Sequence, residues 1–100
     1  MFRVEPIIID DLVATGIEVK LPKTTLLVVT TNKGYIMCGA LDVALLNEKL
    51  KDRNIIAGRA TGVRTLEELL DAPMESVTYG AEKLGIYAGT SGREAIRKMM

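Results

Sequence analysis

Histidine is absent from this chain of 100 residues. Its absence removes serine–histidine–aspartate and cysteine–histidine catalysis within the chain, histidine zinc ligands and histidine-based pH switching. Cysteine occurs once, so no disulfide forms within one chain. Tryptophan is missing, and the few aromatics are Phe2, Tyr35, Tyr79 and Tyr87, too few for the stacking platforms that hold single-stranded bases. Charge of one sign is also missing: 13 basic residues face 13 acidic ones, divided five to six in the first half and eight to seven in the second. A protein that displaces counterions from a phosphate backbone needs a basic surplus, so nucleic acid is not an expected partner. No apolar run nears the roughly 20 residues that span a bilayer, and no N-terminal segment joins a basic start, an apolar stretch and a small-residue cleavage site. The expectation is one cytoplasmic domain over 1–100, with no membrane, metal or cofactor.

What the chain does have is apolar side chains, 48% of its residues. A domain of this size leaves much of its surface in water, and at zero net charge little repulsion opposes self-association. Both facts predict a homo-oligomer.

The first 40 residues read as mainly β. Val4 to Ile9 is an apolar, β-branched run that ends at a turn, Asp10-Asp11. Ile17, Val19 and Leu21 alternate with Glu18 and Lys20, the period-two pattern of a half-buried strand. Pro22-Lys23 breaks it. Thr25 to Thr31 reads as a strand buried on both faces. Asn32-Lys33-Gly34 is a turn with glycine available for a positive φ, leading to Tyr35–Gly39 and a hairpin. The pattern then turns helical: Val43, Leu46 and Leu50 form a stripe that Asp42 would cap. Ile55 to Arg59 follows as a short strand, which predicts a parallel crossover. Thr65 and Glu68, and again Ser91 and Glu94, have capping-box spacing at the starts of two further helices. Between these helices, Val77–Tyr79 is a candidate strand, Ala81–Leu84 a helical turn stopped by Gly85, and Ile86–Ala88 an edge strand. Met99-Met100 reads as a frayed end. The fold class is α+β (mixed α/β), with an N-terminal hairpin or meander, then strand–helix–strand units whose helices pack on a mixed sheet.

Three places invite chemistry. Cys38 ends a strand shortly before a helix start, where a helix N-terminus lowers a thiol pKa. It reads first as a small buried hydrophobe and second as a nucleophile for acyl-transfer or thiol chemistry. The segment with Arg59, Thr61, Gly62, Arg64 and Thr65 joins a strand to a helix start and could grip a carboxylate or phosphate. It lacks the Gly-Lys-Ser/Thr ending of a Walker loop, and the capping box alone explains Thr65. Ser91, Gly92 and Arg93 repeat the theme, with an arginine in the first helical turn, where the helix dipole prefers acids. Exposed ion pairing is the alternative reading.

Three segments in this order resemble the YunC-like family of small bacterial and archaeal proteins: Met37 to Asp42, Ala60 to Leu70, and Gly89 to Ala95. The resemblance implies an α/β-type domain that forms tetramers through its N-terminal β region. It carries over no catalytic residues, and Ala40 stands where the family commonly has tyrosine. The expected function is therefore an oligomeric binding or accessory module, a dimer or tetramer through strands of residues 1–40. A small anionic ligand would sit near Arg59, Arg64 or Arg93. The open edge of Val4–Ile9 is a pairing hazard that assembly would cover. A Cys38 enzyme and a purely structural oligomer are the competing readings.

Overall fold

Turn chemistry organises the first half of the chain. In the computed structural model, which describes residues 2–39, 43–48 and 53–100, β1 (Phe2–Ile9) and β2 (Leu12–Leu21) pair antiparallel with Ile9 opposite Leu12. Only Asp10-Asp11 lies between them. Asp10 takes φ 56°, a left-handed conformation that aspartate tolerates better than most residues. Pro22-Lys23 makes the next turn, with Lys23 at φ 69°, and leads into β3 (Thr24–Thr30). The Thr31 hydroxyl accepts the N–H groups of Lys33 and Gly34 at 3.1 and 3.0 Å and shapes the third turn, before β4 (Tyr35–Met37). Gly34 does not take the expected positive φ. Glycine is needed there for a close approach: a Cβ would lie 2.4 Å from the carbonyl oxygen of Ile56.

The crossover expected from the sequence is present. A helix, α1 (Val43–Glu48), links β4 to β5 (Ala57–Arg59), and these strands run parallel with Tyr35 opposite Ala57. The expected cap Asp42 and the stripe residue Leu50 lie outside the described residues. The remaining elements are α2 (Leu66–Asp71), β6 (Ser76–Val77), α3 (Tyr79–Glu82) and α4 (Gly92–Met99). Among the described residues six strands lie side by side in sequence order, a mixed sheet in which only β4–β5 is parallel.

Both predicted caps form, each in half. Thr65 accepts the Glu68 N–H at 3.0 Å, and Ser91 accepts the Glu94 N–H at 3.2 Å. The return bonds differ from the expected box. The Glu68 carboxylate takes the N–H of Arg64, one residue early, at 2.7 Å. Glu94 pairs instead with Arg97, whose Nε also reaches the Asp10 carboxylate at 2.8 Å and ties α4 to the first turn. A third cap escaped sequence reading. The buried Thr78 hydroxyl accepts the N–H groups of Ala57 and Ala81 at 3.1 and 3.2 Å and donates to the Ile55 carbonyl at 2.7 Å. Ile86–Ala88 is not a strand; Ile86 donates its N–H to Ala81 and buries its side chain completely. Met99 is equally buried, so the end of α4 is packed rather than frayed.

The core lies on one face of the sheet. Leu27, Val29 and Ile36 meet Leu66, Leu69 and Leu70 of α2 and Ala95, Ile96 and Met99 of α4. Each fully buried large aliphatic side chain contributes roughly 1.5–3 kcal/mol. On β2 the buried residues of the core side are Ala14 and Gly16, while Ile17 and Val19, the apolar members of the alternating pattern, lie on the other face. There α1 places Val43 and Leu46 on Ala57, beside Tyr35, Met37 and Ile55, and covers the β4–β5 end alone.

Candidate functional site

Cys38 follows β4 directly and is 7% exposed. Its Sγ receives the Leu27 N–H at 3.5 Å and lies 3.9 Å from the Thr25 carbonyl oxygen, to which the thiol donates. A nucleophilic thiol needs a base or a cation within reach, and these two partners are backbone groups of β3. Helix α1 has six described residues, from Val43, and residues 40–42 lie outside the description. Cys38 also lines a cleft of about 280 Å³ together with Leu21, Thr24, Thr25, Leu26, Gly39 and Val63.

The segment from Arg59 to Thr65 divides into two parts. Arg59 and Thr61 stand beside Gly39: a Cβ built there would lie 3.8 Å from both Arg59 Nη2 and Thr61 Cγ2. The Arg59 Nε is 3.8 Å from a Glu75 carboxylate oxygen and is buried without a hydrogen-bond partner among the described residues. Gly62 takes φ 75° with open space around it. Arg64 turns the other way, into a cleft of about 520 Å³ with Lys20, Leu21, Lys23, Thr24, Thr25 and Val63. Thr65 is occupied as the cap of α2.

The third segment lies elsewhere. Arg93 is 3.3 Å from Asp71 and shares a shallow groove with Glu5, Ile8 and Glu67. Gly92 gives its N–H to the Ala72 carbonyl at 2.9 Å, and the Ser91 hydroxyl is spent on the Glu94 N–H. The Gly92 N–H and the Arg93 guanidinium at this helix start are therefore engaged within the protein. No cleft described above holds two of Arg59, Arg64 and Arg93; the structure gathers Arg64 with Lys20 and Lys23 instead.

Sequence reading passed over Lys20, Lys23, Thr24 and Thr25. Pro22-Lys23 registered as a strand breaker, and the only available hint was a lysine on each side of a tight turn. Among the described residues no three histidine, cysteine, aspartate or glutamate side chains group as metal ligands. No helix among them is long and apolar enough to cross a membrane.

Comparison with known proteins agrees with this architecture. A family model described as a domain of unknown function, DUF1805, matches residues 37–99. The chain is 64% identical over 100 residues to the uncharacterized protein YunC of Bacillus subtilis (strain 168), covering 100% of this chain and 99% of that one. A crystal structure of a protein of unknown function from Thermoplasma acidophilum superposes with a TM-score of 0.89 at 32% identity, covering 100% of this chain and 94% of that chain.

Proposed function

This chain belongs to the DUF1805 family, and we propose that it works there as a homo-oligomeric binding module whose copies pack through the uncovered face of β1–β3. One observation carries the reading. Alternation and register put Val4, Ile17, Val28 and Met37 in one cross-strand row, with Phe2, Val19 and Leu26 in the next and Ile8 and Val13 near the turn. Phe2, Ile8 and Val13 are each about two-thirds exposed (67%, 67% and 64%). Monomers rarely leave such continuous apolar area in water.

The occupant is a second copy of the chain. These rows contain no ionisable side chain, so the face is complementary to itself about a twofold axis without any charge to match. The sequence pointed to the open edge of β1, and Pro6 argues for the face instead. Proline sits in a strand where its missing N–H would have faced the edge, so the donor row a pairing strand would need is broken at its middle. The single thiol, with no disulfide to keep oxidised, accords with a cytoplasmic setting.

The test is sedimentation of the native protein and of Ile8→Lys. The expected native mass is a multiple of 10.9 kDa. Removing an apolar contact of about 1–2 kcal/mol from each side of a twofold interface, and adding a buried charge, should weaken association at least about 100-fold. A monomeric parent, or an Ile8→Lys protein of unchanged mass, would overturn the reading.

A further inference from the structure

We propose that the cleft between the β2–β3 turn and the Val63–Arg64 loop binds a small organic anion: a carboxylate or phosphate on a short apolar body. This deepens the binding role given above and rests on it; the cleft adjoins the face the copies share at Leu26, which belongs to both.

The two clefts at this end of the sheet are continuous, because Leu21, Thr24, Thr25 and Val63 line both. One end is basic. Lys20, Lys23 and Arg64 all line it; among the described residues none of the three makes an ion pair and no acidic side chain lines either part. In a protein with equal numbers of acids and bases, three unneutralised cations around one depression make a local field that attracts anions. The other end is apolar, formed by Leu21, Leu26, Val63 and the Cys38 thiol. Thr24 and Thr25 line both parts and carry hydroxyls that can bond an anionic head. The N–H groups of Gly39 and Val63 donate to no group among the described residues. A bare inorganic anion would leave the apolar end unused, and a neutral hydrocarbon would leave the cations unpaired. A charged head on a short apolar body satisfies both.

Lys23 adds a further sign. It holds φ 69°, in the left-handed region that strains an L side chain and suits glycine. The turn alone would be served better by glycine, so the ammonium has a use that the turn does not explain. That same strain supplies the control: Lys23→Gly removes the charge while relieving the backbone.

The experiment is an NMR titration of the full chain with hexanoate, hexyl phosphate, 1-hexanol and inorganic phosphate, following the amides of Thr24, Thr25, Gly39 and Val63. Sedimentation runs in parallel, so that a change in assembly is told apart from a failure of the cleft. Saturable shifts at these amides are expected with hexanoate or hexyl phosphate, at least about tenfold tighter than with hexanol or inorganic phosphate. The tighter of the two identifies the head group, and equal affinities support the shared chemistry. Lys23→Gly and Arg64→Gln should each weaken the preferred probe about tenfold while the thermal midpoint of Lys23→Gly does not fall. Absence of saturable shifts, shifts confined to other residues, equal binding of hexanol, or unchanged affinity in both variants would each refute the assignment.

Discussion

Gly92→Ala sets two physical effects against each other, and the structure decides the sign. Gly92 is the first residue of α4. Helix propensity alone favours alanine over glycine by up to about 1 kcal/mol. Packing opposes it. A Cβ on Gly92 would lie 2.3 Å from the Leu69 carbonyl oxygen, 3.1 Å from Leu70 Cα and 3.0 Å from Ile36 Cδ1. Two of those atoms are backbone of α2, so no side-chain rotation relieves the contact and the helices must separate by about 1 Å, the shortfall from ordinary van der Waals distance. Overpacking of this kind costs about 1–3 kcal/mol or somewhat more. The separation also lengthens the 2.9 Å bond from the Gly92 N–H to Ala72, worth about 1 kcal/mol. The sum is a net loss of about 2–3 kcal/mol. For a domain of this size that corresponds to a fall of about 10–20 °C in thermal midpoint. Urea unfolding followed by circular dichroism, with protein concentration held constant because assembly shifts apparent stability, should show a lower midpoint at unchanged slope. A variant as stable as the parent, or more stable, would show that α2 and α4 do not meet as closely as described. The result also bears on function, because it assigns Gly92 to helix packing rather than to an anion.

Two further outcomes follow from buried groups. Thr78→Val keeps the shape of the side chain but leaves the N–H groups of Ala57 and Ala81 and the carbonyl of Ile55 without their partner; a loss of about 2–4 kcal/mol is expected in urea unfolding, with Thr78→Ser recovering most of it. Cys38 is 7% exposed and bonded to backbone of β3; its alkylation by iodoacetamide should run at least about tenfold slower in the native protein than in urea. Equal rates would show an open thiol and return the nucleophile reading to consideration.

The sequence determined what depends on near neighbours. Thr65 and Ser91 announced two helix starts because a cap joins residues three apart. Asp10-Asp11 announced a turn and Pro22-Lys23 a strand end because φ preferences are local. The alternation of Ile17 and Val19 announced a strand, but not which face the core would take. On β2 the core accepts Ala14 and Gly16 because α2 lies close there, and Ile17 and Val19 are left on the outer side. The stripe of Val43 and Leu46 predicted a helix, and the parallel pairing of β4 with β5 followed from it. Ile86 was misread because a buried loop residue and an edge-strand residue have the same composition, and only the core it enters separates them. The candidate anion site was half legible. Arg64 stood out in a loop with glycine and hydroxyls, whereas Lys20 and Lys23 are more than 40 residues away along the chain, and only the folding of the β2–β3 turn toward the start of α2 brings them together. Charges act through space, so their grouping is a property of the tertiary structure; caps and turns act through a few bonds, so the sequence alone was enough.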